Sequence, residues 1–182
     1  MENQEKPMER VSAFATDKLK ISEFRESIKG DYEGKICPTC NRWAKEEKVK
    51  LNEEHCLALL HIFKYYRYND ENKNHLDYFH STEMFSKNDH FLDYFSDLEY
   101  WDLIEAKGEL VNGEFVKENN FWRISENGIK FAQREIAVPI YAILYDGVVQ
   151  GHQLQPYATI DEIIGINDYQ YNKYLDPNTL IE

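Results

Sequence analysis

Cysteine is scarce in this chain, with three in 182 residues. Two of them form a single Cys-x-x-Cys pair, too few for a disulfide framework, so a reducing cytoplasm is the expected location. No apolar run approaches the roughly 20 residues of a membrane-spanning helix or the core of an export signal, so neither is expected. There is no Gly-rich phosphate loop, no nucleophile elbow and no His-x-x-x-His pair. Three common routes to catalysis therefore lack their motif, and a non-enzymatic role is the expectation. A heptad or long apolar seam is missing as well, which leaves no sequence argument for a helical dimer.

What is present is acid. At 21.7 kDa and a net charge of −12, the chain can hold one ordinary domain and a small appended module. Residues 1–50 carry 11 Lys and Arg against 10 Asp and Glu, leaving 10 against 23 for residues 51–182. The larger part therefore holds a charge of −13. A field of that sign repels phosphate backbones and anionic membranes, and attracts basic protein surfaces such as those that hold nucleic acid.

In chain order, residues 1–15 read as a solvated tail, with Glu2, Glu5, Lys6, Pro7, Glu9 and Arg10 and no apolar cluster. Residues 16–50 are expected to hold a first helix, capped by Thr16 and ended by Gly30, and then a short ribbon. In that ribbon Cys37-Pro38-Thr39-Cys40-Asn41 has the pattern of a knuckle, a tight turn whose amides face two thiolates. Pro38 fixes one backbone angle and Asn41 tolerates the left-handed conformation. Cys37 and Cys40 are candidate zinc ligands; the alternative is a metal-free turn with reduced thiols. Cys56, with 15 residues between it and Cys40, shares a helical face with Leu59, Leu60 and Phe63 and reads as a core thiol. His55, His61, His75 and His80 could supply ligands, but none are spaced three or four apart.

Residues 51–135 carry the main periodic pattern. Asn52, with Glu53 and Glu54 in the first turn, is expected to start a broad-faced buried helix running to Tyr68. Asn69–Asn74 reads as a polar turn, followed by a short helix around Leu76, Tyr78 and Phe79. A third helix is expected from Asn88, with Phe91, Tyr94, Phe95 and Leu98 inward and Asp89, Asp93 and Asp97 as the opposite stripe, Glu99 and Asp102 nearby. The turn signals Asn112-Gly113 and Asn119-Asn120 then predict a wing, after which Ser125 caps another helix. Residues 136–182 are expected to form a hairpin about Asp146-Gly147, a short helix with a Thr159/Glu162 capping box ended by Gly165, and a last helix from Asn167 to Leu175. The implied fold class is α+β, mainly α: a winged helix-turn-helix core with an N-terminal helix and knuckle, and a C-terminal hairpin plus short helices packed on it.

Leu103-Ile104, the wing, and Trp122-Arg123-Ile124-Ser125-Glu126-Asn127-Gly128 resemble winged-helix regulators of the multiple-antibiotic-resistance and phenolic-acid-decarboxylase repressor types, over about 80 residues from Leu51 to Gln133. The order of knuckle, Lys50-Leu51-Asn52, wing, Val138-Pro139 and the Tyr145-Asp146-Gly147 hairpin is similar to that of small proteins encoded by bacteriophages and prophages. Asn41 stands where Gly usually follows the second Cys of such a knuckle. The first resemblance implies DNA binding, yet the helix that would read DNA carries carboxylates and no Lys or Arg.

Two function classes follow. One is a protein-interaction module in which Asp89, Asp93, Asp97, Glu99 and Asp102 meet a basic partner, a host nucleic-acid-binding protein, as an inhibitor of the anti-CRISPR kind would. The alternative is contact with DNA or RNA through the knuckle and wing. Lys35, Arg42, Lys45, Lys48 and Lys50 against Glu46 and Glu47 give residues 35–50 a charge of +3, Trp43 can stack on a base, and Lys107, Lys117 and Arg123 can line the wing.

Overall fold

The computed structural model describes residues 22–71, 78–85 and 89–176. It divides into two compact units, the first made of Met1–Lys48 and Ile143–Gln150, the second of Val49–Ala142 and Gly151–Glu182. The hairpin about Asp146-Gly147 thus groups with the knuckle, whereas the sequence pattern places it with the C-terminal helices.

In the first unit, the described part of helix α1 covers 22–27, and Gly30, at φ 74°, ends its last turn as expected. The expected Thr16 cap lies outside the described residues. Strands β1 (Lys35–Ile36) and β2 (Trp43–Ala44) pair antiparallel and hold the knuckle between them. Phe24, Ile28 and Cys37 form a small core, with Ala44 and Tyr145 packed against it. Glu46 is buried and accepts a 2.7 Å bond from the Gly30 amide, so a carboxylate satisfies a donor that the helix end leaves open. Strands β3 (Glu46–Lys50), β8 (Tyr141–Tyr145) and β9 (Val148–His152) form a sheet in the order β3-β8-β9.

The second unit is built on helix α2 (Glu53–Glu71). Asn52 Oδ1 caps it by accepting from the His55 amide at 3.1 Å. Cys56, Leu57, Leu59, Leu60, Ile62 and Phe63 are all buried, each such aliphatic or aromatic side chain contributing about 1.5–3 kcal/mol of transfer free energy. The helix runs to Glu71, so Asn69 and Asp70 belong to it rather than to a turn. Leu76 lies outside the described residues, and Phe79–His80 is a strand, β4, not the expected short helix; Ser81–Met84 forms helix α3.

The third α-helix expected from Asn88 does not form. Its place is taken by two 3₁₀ segments, Asp89–Asp93 and Phe95–Trp101. The reason lies in the apolar spacing: Phe95, Leu98 and Trp101 recur every third residue and all are buried, which fits three residues per turn better than 3.6. Asp102 then closes the segment in the left-handed conformation.

Strands β5 (Ile104–Val111) and β6 (Glu114–Ile124) form a long hairpin on the Asn112-Gly113 turn, both residues at positive φ. Asn119-Asn120 is no second turn. It sits in an irregularity of β6, where Ala106 pairs with Trp122 but Gly108 pairs with Lys117. A Cβ on Gly108 would stand 2.4 Å from the Val116 carbonyl oxygen, so only glycine allows the strands to close there. β4 adds to β6, giving the order β4-β6-β5.

Helix α4 (Glu126–Ala132) begins at Ser125 as expected, its Oγ accepting from the Gly128 amide at 2.9 Å. β7 (Val138–Pro139) pairs with β10 (Tyr157–Ala158). Helix α5 (Ile160–Ile164) carries the expected capping box and ends at Gly165, at φ 72°, and the expected Asn167 cap of α6 (Asp168–Leu175) is itself part of a capping box with Gln170. Among the described residues, about 41% are helical and 31% are in strands that form four small antiparallel sheets, so the fold is neither mainly α nor a clear winged helix.

Candidate interaction surfaces

The 3₁₀ geometry changes the expected acidic stripe. With three residues per turn, side chains four apart differ by a third of a turn, so Asp93 and Asp97 do not share a line along the axis. They also have different surroundings. Asp93 is exposed. Asp97 is half-buried, with Oδ2 3.6 Å from Nε2 of His55, a buried imidazole set edge-on to Tyr94 and Trp101. Glu99 is held by Lys117 at 2.5 Å. Asp102 is exposed, and its backbone carbonyl accepts from Ser125 Oγ at 2.5 Å. The side chain of Asp89 lies outside the described set.

The hairpin cations are occupied. Lys107 pairs with Glu118 at 2.8 Å, Lys117 with Glu99, and Arg123 with Glu105 at 2.5 Å. Lys107 lies over the Phe121 ring, Lys117 over Trp122 and Arg123 over Tyr78, each at 5.1–5.7 Å from the centroid. These pairs are exposed, and each adds at most about 1 kcal/mol to stability. Their larger effect is on charge, because a cation already matched by a carboxylate has little left for a phosphate. Meanwhile Asp93, Asp102, Glu109 and Glu114 are exposed and form no ion pair among the described residues. The hairpin tip also leaves Leu110 and Phe115 uncovered, at 75% and 53% exposure.

The knuckle is a separate surface. The Cys37 amide donates to the Arg42 carbonyl at 2.7 Å and the Asn41 amide to the Cys37 carbonyl at 2.8 Å. Asn41 takes φ 55°, the conformation that its side chain tolerates. The backbone amides of Cys40 and then Thr39 donate to the Cys37 sulfur, which lowers its pKa below the ordinary thiol value. Cys37 is buried and Cys40 exposed, and both line an open cavity of about 570 Å³ with Arg25, Arg42, Trp43 and Lys45. Trp43 is 62% exposed, and Ile36, opposite it in the β1–β2 register, is 58% exposed. Lys35 reaches Asp31 at 2.9 Å and Lys45 reaches Glu47 at 3.2 Å, while Lys48 and Lys50 are exposed along β3.

Cys56 is fully buried in α2, and burial pushes its thiol far above the ordinary range. His61 sits against Phe85, and His80 stands edge-on to Phe121. His75 lies outside the described residues. Among the described residues, no group of three or more His, Cys, Asp or Glu could hold a metal ion. No helix among them is long and apolar enough to cross a membrane.

Linear sequence patterning does not single out the exposed hairpin carboxylates Glu109 and Glu114 or the uncovered apolar tip. The alternation of the hairpin is the available signal, since seven residues of β5 pair with seven of β6 across one turn and the tip projects beyond the bulge. Comparison with protein-family models, curated proteins and solved structures gives no match for this chain.

Proposed function

We propose that this chain is a non-enzymatic interaction module whose acidic second unit docks on a basic protein surface, of the kind that otherwise holds nucleic acid. The observation that carries this is the charge arrangement of the hairpin. Its three cations are matched by carboxylates, while Asp93, Asp102, Glu109 and Glu114 face solvent with no ion pair among the described residues. A surplus of outward negative charge raises the rate of encounter with a cationic groove and repels competing polyanions. The resemblance of element order to phage proteins makes a host defence nuclease, in the host cytoplasm, the first partner class to test. Occupying its nucleic-acid groove would inhibit it, as an anti-CRISPR protein does.

The test is affinity capture from nuclease-treated host lysate. A basic protein retained after digestion supports the reading. Recovery of nucleic acid alone, with no protein, sinks it. A second reading, contact with single-stranded nucleic acid at the knuckle, is favoured by one observation: Trp43 is exposed beside Arg42 and Lys45. Binding of a fluorescent oligonucleotide that is lost in Trp43→Ala and weakens steeply with salt would establish it.

A further inference from the structure

We propose that the Cys37–Cys40 turn supplies half of a zinc tetrathiolate, the other half coming from the same turn of a second copy of this chain. The turn is already formed for the purpose. Strands β1 and β2 clamp its ends, with Lys35 opposite Ala44 and Ile36 opposite Trp43. Amides of Cys40 and Thr39 point at the Cys37 sulfur, and the two thiols lie within hydrogen-bonding reach of each other. Both line one open cavity, so a cation can approach from solvent. Two thiolates fill half of the tetrahedral shell that structural zinc takes.

Charge and surface select the second copy as the source of the rest. A zinc ion with four thiolates carries a formal charge of −2. Arg25, Arg42 and Lys45 border the cavity against two carboxylates, a balance of +1, so two copies together bring +2 to offset it. Glu47 and Asp146 also border the cavity. They are the rival ligands within one chain, but Glu47 is engaged by Lys45 at 3.2 Å, and thiolate is the softer and preferred donor in a structural site. A symmetric contact through the knuckle would also bring Ile36 and Trp43 of each copy, 58% and 62% exposed, out of water. Binding releases a proton from each thiol to solvent.

The experiment uses the full chain, freshly reduced and titrated with zinc alone. Native mass spectrometry is expected to show dimers with about one zinc per two chains, returning to metal-free monomers with chelator. Cobalt in place of zinc should give the visible absorption of a tetrahedral tetrathiolate. Cys40→Ser, at an exposed position, should abolish both the dimer and the cobalt spectrum. Monomers with one zinc each would overturn the proposal in favour of a site completed within one chain. A chain that binds no zinc, or dimers that persist unchanged in Cys40→Ser, would overturn it as well.

Discussion

Gly128 is the position where a single atom would do most harm. A Cβ there would stand 2.0 Å from the Leu103 carbonyl oxygen, and that oxygen already accepts from the Ser125 amide at 3.1 Å. Ser125 in turn caps α4 and donates to the Asp102 carbonyl. The Ser-x-x-Gly pattern is thus a clasp between the end of the 3₁₀ segment and the start of α4. Gly128→Ala is expected to destabilise the chain by about 2–3 kcal/mol through overpacking, and Ser125→Ala by about 1–2 kcal/mol through the lost cap, both read from urea unfolding midpoints. Since the two residues share Leu103, the double variant should lose less than the sum. The thiols give a second residue-scale outcome. With a disulfide reagent on native protein, Cys40 is expected to react and Cys56 to react only after denaturant is added. Rapid native labelling of Cys56 would contradict its place in the core.

At the scale of elements, α2 and the layer above it carry a titration. His61 packs against Phe85 and Phe91, and burial holds its pKa below the ordinary 6.5, opposed by a bond to the Met84 carbonyl and assisted by Lys64. A histidine with a depressed pKa favours the neutral form in the folded state. Its contribution is present above the unfolded value near 6.5 and is lost as pH falls through the lower folded value. His61→Gln should flatten that part of the stability–pH curve, measured by urea unfolding from neutral pH downward. An unchanged slope would show that His61 is not shielded by Phe85 and Phe91 as described.

The same elements show what the sequence made legible. Caps at Asn52, Ser125, Thr159 and Asn167 and both Asx-Gly turns were readable, because each is decided by a few neighbouring residues. The 88–101 segment was not. Phe91, Tyr94, Phe95 and Leu98 recur at the three- and four-residue steps of an α-helix, and only the burial of Trp101 in line with Phe95 and Leu98, a tertiary fact, points to three residues per turn. β4 was missed because a two-residue strand exists only through its partner β6, with Phe79 opposite Trp122. The acidic stripe failed with the helix that defined it, and the matched cations of the hairpin depend on a cross-strand register that no linear spacing reveals.

Taken whole, the molecule is an acidic body of net charge −12 in which the balance shifts from +1 over residues 1–50 to −13 beyond. Two surfaces follow from that division. The knuckle holds two thiols among cations, and the hairpin unit holds unmatched carboxylates beside paired ones. At physiological salt the screening length is about 8 Å, so only charges brought close to a partner add affinity, and docking should be strongly salt-dependent. Neutralising Glu109 and Glu114, or Asp93 and Asp102, should leave stability within about 0.5 kcal/mol, since all four are exposed. Asn at position 102 also keeps the left-handed backbone that Asp102 adopts.

The most direct test of acidic docking compares two baits for the protein captured from nuclease-treated lysate: the wild-type chain and the variant Asp93→Asn, Asp102→Asn, Glu109→Gln, Glu114→Gln. Affinity is measured by calorimetry at low and at physiological salt. At a few tenths of a kcal/mol for each carboxylate, the variant is expected to bind roughly tenfold more weakly at low salt, with a shallower salt dependence. Equal affinity and equal salt dependence for the two chains would contradict the assignment of this surface to a basic partner.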